Sequence, residues 1–152
     1  MGRMPNESLR DRILLASAVI AVIVGAYLPW LRTNPNLPPD AGIPSIYISG
    51  MGAGFAGFDV VLLSLVGLIL VLRATGTRKL FQTVLTLLTG IGTVGFCVLY
   101  LTESSLTGFS ATFVPALGWF LALLGGVLLV VAGGRHLPSI IRSLEMTTAL
   151  TE

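Results

Sequence analysis

Charge is nearly absent from this sequence: 11% of its 152 residues are Asp, Glu, Lys or Arg, where a water-soluble domain carries about 25%. A single cysteine, Cys97, excludes an intrachain disulfide. Because it sits inside an apolar run, it reads as a small buried side chain and not as a reactive thiol. One histidine, His136, and seven carboxylates leave too few groups in register for a metal site. A Ser-His-Asp set would have to join residues from opposite ends of the apolar runs. The net charge is only +2, and the basic residues cluster at the ends of those runs without forming a continuous basic face, which argues against nucleic acid as a partner. The expectation is a chain that is not an enzyme and carries no cofactor.

Apolar residues are what the sequence has in abundance: 54% are hydrophobic, with a mean hydropathy of +0.91. A chain this short buries too small a fraction of its surface to hide so much apolar area from water, so lipid is the expected solvent. Four apolar runs stand out, at about 13–31, 55–72, 80–102 and 113–134. Each is close to the roughly 20 residues that cross a hydrocarbon core. Backbone groups in lipid must be satisfied within the segment, so each run is expected to be helical. The predicted fold is an all-α membrane protein: one four-helix transmembrane bundle filling residues 1–152, with a cytoplasmic tail at 135–152.

Orientation follows from the basic residues. Arg3, Arg10 and Arg12 precede the first run, Arg73, Arg78 and Lys79 separate the second and third, and Arg135 and Arg142 follow the fourth. The other two loops hold only Arg32. Both termini are therefore expected in the cytoplasm of a multi-pass cell-membrane protein. The N-terminal run is too long for a cleaved signal and ends without a small-x-small site, so it reads as an uncleaved anchor. Asn6 stands where a myristoylation signal needs Ser or Thr.

The first extracytoplasmic loop, from Arg32 to about Gly54, holds Pro35, Pro38, Pro39 and Pro44, then Gly50, Gly52 and Gly54. That density of proline excludes a regular helix, while Ile46-Tyr47-Ile48 has the composition of a short strand. The tail carries Leu137, Ile140, Ile141 and Leu144 at helical spacing and reads as either an amphipathic interfacial helix or a frayed end. Residues 52–76 align with 110–134 at an offset of 58, pairing Phe55 with Phe113 and Gly67 with Gly125. The match is either a duplicated helical hairpin or a by-product of membrane composition.

Gly90-Ile91-Gly92-Thr93-Val94-Gly95 matches GxGxxG, but it lies in the middle of an apolar run, where the N–H groups that would bind a pyrophosphate are already bonded. Close helix packing through small residues explains such glycines better. The residues expected at helix contacts are Ser17, Ala21 and Gly25 in the first run, and Gly118, Ala122 and Gly126 in the fourth. In the third they are Gly90 with Thr86, Thr93 and Cys97, with Gln82 a turn before. The threonines either bond back to their own helix or line a polar path. Asp59, at the start of the second run, is the candidate functional or capping carboxylate: it caps the helix, pairs with Arg32, or handles ions. Tyr27, Trp30 and Tyr100, and Trp119 with them, read as interfacial anchors. Pro115 suits the first turn of its helix.

Four stretches carry a resemblance. They are Leu28-Pro29-Trp30-Leu31-Arg32-Thr33-Asn34-Pro35, Gly54-Phe55-Ala56-Gly57-Phe58-Asp59, Ser104-Ser105-Leu106-Thr107-Gly108-Phe109 and Phe113-Val114-Pro115-Ala116-Leu117-Gly118. In this order they resemble a group of small uncharacterised four-helix membrane proteins of halophilic archaea. The resemblance implies the four-pass topology and brings no activity with it. The expected role is a non-enzymatic structural or accessory component, with the lipid bilayer, a second copy or a larger membrane complex as partner. A small-solute or ion channel or transporter is the alternative, and a membrane-embedded enzyme the third reading.

Overall fold

The computed structural model describes residues 9–38, 42, 44–49, 58–76, 79–102 and 112–149, excepting the side chains of 48–49, 58–62 and 139–149. Helix α1 spans Leu9–Tyr27 and is followed by strand β1, Pro29–Thr33. Strand β2 is Tyr47–Ser49, and helices α2 and α3 are Phe58–Ala74 and Lys79–Thr102. Strand β3, Phe113–Pro115, leads into helix α4, Leu117–Ala149.

Proline explains where α1 stops. A residue before proline is pushed out of the helical region, so Leu28 makes the last helical bond, to the Val24 carbonyl at 3.1 Å, and Pro29 opens β1. The apolar run 13–31 is therefore not one helix, and its last residues are strand. The fourth run is corrected in the same way: Pro115, expected in a first helical turn, belongs to β3, and the helix begins at Leu117. The three strands form one sheet in the order β2-β1-β3, antiparallel throughout. Leu31 faces Ile48 on one side and Pro115 on the other, and a bulge lies between Pro29 and Leu31. The fold is predominantly helical but not all-α. The extended backbone at the ends of two apolar runs is satisfied by pairing between strands. The short strand expected at Ile46–Ile48 is β2, one residue further on.

At the other end, α2 runs into a turn in which Gly76 has φ +68°, a conformation that glycine adopts without steric cost. The last carbonyls of α2 are closed by side chains: the Thr75 hydroxyl donates to Val71 at 3.0 Å, and Gln82 Nε2 donates to Leu72 at 2.9 Å. Helix α4 is continuous through Pro138 to Ala149, so the tail is an extension of the fourth helix rather than a separate one. The proline removes one i→i−4 bond, to Gly134.

Helix α4 is the centre of the packing, lying along both α1 and α3, while α2 packs on α3 and barely meets α1. The two helical hairpins are thus unequal. One core cluster joins Leu15, Ala18, Val19 and Val22 of α1 with Val66, Leu129 and Ala132. A second, toward the sheet, joins Trp30, Leu31, Phe96, Cys97, Tyr100 and Ala122.

Candidate functional site

The sheet end of the bundle is closed by aromatic rings. The Trp30 indole is 2% exposed, and its N–H donates to the Gly25 carbonyl at 2.8 Å. That carbonyl is one of the orphan acceptors at the end of α1. The Trp30 ring stands edge-on to Tyr100 with centroids 5.0 Å apart, and tilted against Phe96 at 5.4 Å. The Trp119 indole donates to the Cys97 carbonyl at 2.9 Å. Trp30 and Tyr100, expected as interfacial anchors, are instead buried core residues. The physical reason is β1, which folds the residues after Tyr27 back over the helix ends, where the indole N–H finds a backbone acceptor. Tyr27 itself is exposed.

Backbones meet below this cap at residues without bulk. A methyl group added at Gly25 would lie 2.5 Å from the Ala122 nitrogen, and one at Gly118 2.5 Å from the Leu28 carbonyl oxygen. At Gly90 it would lie 2.6 Å from the Val130 nitrogen. These distances mean that α1 and α3 each touch the α4 main chain, so dispersion contacts between backbones replace side-chain interdigitation. Gly126 faces Thr93, and Ala122 is buried. Ala21 is half-buried, and Ser17 is exposed. The buried line of α1 passes through Ala18 and Val22 to Gly25. Two close contacts escape the sequence reading: Gly125 against Val22, and Gly133 against Leu87. The adjacent pair Gly125-Gly126 is the signal for the first, since α4 packs on two helices and needs small residues on two faces there.

Threonines line the buried face of α3, and their hydroxyls turn back on it. Thr86 donates to Gln82 at 2.7 Å, Thr89 to Leu85 at 2.8 Å and Thr93 to Thr89 at 2.8 Å. Each therefore has its partner in its own backbone. The GxGxxG glycines lie within the uninterrupted helix α3, far from a helix start. Asp59 is the second residue of α2; its side chain, and with it the choice between capping, pairing and ion handling, lies outside the described residues. So does the Phe55 half of the repeat. Away from the sheet, Asp11 in the first turn of α1 joins Arg135 within α4 in an ion pair of 3.6 Å. Among the described residues, no group of three or more His, Cys, Asp and Glu is placed to hold a metal ion.

Large apolar side chains also stand on the exterior. Ile20, Leu88, Leu99 and Phe120 are all more than half exposed. Helix α3 and the Leu117–Pro138 part of α4 are long and apolar enough to cross a membrane. The class defined is a predominantly helical protein with two such helices among the described residues, which is consistent, weakly, with a membrane location. A comparison with protein-family profiles gives no match, and neither does one with curated proteins.

Proposed function

We propose that the chain is a four-pass protein of the cell membrane with both termini cytoplasmic, serving as a non-enzymatic structural or accessory component, in a homo-oligomer or a larger membrane complex. The observation that carries this reading is the apolar exterior of every helix: Ile20 of α1 is 60% exposed, Val71 of α2 57%, Leu99 of α3 61% and Phe120 of α4 54%. Water opposes such exposure at about 25 cal/mol per Å², and contiguous patches of this kind are rare on soluble monomers. Lipid does not oppose it.

Length is compatible with four crossings. The uncharged part of α1, from Ile13 to Tyr27, covers roughly 22 Å at 1.5 Å per residue. That is about three quarters of the roughly 30 Å of a hydrocarbon core. The structural role is favoured over permeation because the hydroxyls of Thr86, Thr89 and Thr93 are spent on their own helix. Kinship with the halophile group belongs to the same proposal and rests on the four stretches that carry it.

The test is purification of the tagged chain from its native membrane in mild detergent. A stable oligomer or a stoichiometric companion supports the reading, and a solitary monomer overturns it. Flux through liposomes holding the wild type or Asp59→Asn separates the alternative. Transport that depends on Asp59 would replace the accessory role.

A further inference from the structure

Helices α1 and α2 barely touch, and the space between them is a cavity of about 540 Å³. Its lining is polarised. Arg12, in the first turns of α1, and Arg73, in the last turn of α2, stand at one end. Leu15, Ala16, Val19 and Ile20 of α1 continue the wall, with Leu70 opposite. From Arg12 to Ile20 the helix rises about 12 Å, close to the depth of one hydrocarbon leaflet. The small side chain of Ala16 helps to leave the gap open. The neighbouring carboxylate, Asp11, pairs with Arg135 of α4 at 3.6 Å. Two guanidinium groups over an apolar trough match a molecule with a phosphate at one end and hydrocarbon behind it.

We propose that this cavity binds one anionic phospholipid, with its phosphate between Arg12 and Arg73 and one chain along Leu15, Ala16, Val19 and Ile20. The inference rests on the membrane reading above. A zwitterionic lipid would bring its own cation to the arginines, and a free anion would leave the apolar wall unused.

The experiment places the full-length chain in bilayers of equal parts phosphatidylglycerol and phosphatidylcholine with matched chains, then extracts it gently and counts retained lipid by native mass spectrometry. The wild type retains one phosphatidylglycerol per chain, preferred over phosphatidylcholine by about thirtyfold, given about 1 kcal/mol for each of the two basic residues near an anionic lipid surface. Arg12→Gln with Arg73→Gln abolishes the preference, whereas Lys79→Gln, a charge outside the cavity, preserves it. Ala16→Phe keeps both arginines but obstructs the trough, and it reduces retention of the lipid. Burial of Cys97 from a thiol reagent verifies that each variant is folded. Equal retention of the two lipids by the wild type, or a preference that survives the double substitution, overturns the proposal. Displacement of the lipid by millimolar inorganic phosphate would also overturn it, by making this a soluble-anion site. Failure of the membrane reading is a different result: the chain would then leave the vesicles on alkaline washing.

Discussion

Gly25→Ala tests whether backbone contact between α1 and α4 holds the bundle together. The added methyl would lie 2.5 Å from the Ala122 nitrogen, 2.9 Å from its Cα and 2.9 Å from the Gly118 oxygen. All three are backbone atoms, so no side chain can rotate away. Ordinary contact between such atoms needs about 3.5 Å, and the helices must separate by roughly 1 Å. A gap of that size forfeits a quarter to a half of each neighbouring dispersion contact, including the Gly125–Val22 approach one turn away. Overpacking of this kind costs about 1–3 kcal/mol, while the change from glycine to alanine returns up to about 1 kcal/mol of helix propensity. Gly92→Ala is the control, because nothing lies within 4 Å of its added methyl, so it carries the propensity gain without the clash. The expected difference between the two variants is therefore about 1–3 kcal/mol. It is read as reversible unfolding in mixed micelles titrated with dodecyl sulfate and followed by tryptophan fluorescence. Equal unfolding midpoints for the two variants would refute the contact argument.

Trp30→Phe keeps a ring beside Tyr100 but removes the donor to the Gly25 carbonyl. It should destabilise by about 1–3 kcal/mol in the same titration, and an unchanged midpoint would show that this bond is dispensable. Thr86→Val and Thr93→Val remove hydroxyls that bond only locally, so stability should change by less than about 1 kcal/mol. Liposome flux should stay at the wild-type value, and an altered flux would restore the polar-path reading. Cys97 is 0% exposed, so a maleimide should label it only after dodecyl sulfate unfolds the chain. Rapid labelling of the folded protein would contradict the packing around Trp30 and Phe96.

Helical content was legible where polarity changes sharply. Lys79 and Glu103 bracket α3, whose bounds match the expected run closely. Gly76 marked the turn after α2, and the β-branched and aromatic residues at 46–48 marked a strand. The sheet as a whole was hidden, because an apolar run does not say whether its ends are helical or extended. Pro29 and Pro115 were the available signals: each stands just outside a helix, yet a proline is also compatible with a first helical turn. The phase of α1 was equally hard to read. Its residues are apolar nearly all round, so composition does not separate the buried Ala18 and Val22 from the exposed Ser17. Trp30 was misplaced for a related reason, since sequence position alone does not distinguish a ring at a lipid boundary from one folded under a strand.

The central place of α4 has a consequence for assembly. Helix α1 has its main neighbour in α4, which is made after it, and β1 must wait for β3 to close one of its edges. Helices that insert separately and associate afterwards allow such a delay. Under the membrane reading proposed above, α1 would dwell in the bilayer without its final neighbour until α4 has been made, so a chain truncated before Phe113 should be an early target for membrane quality control.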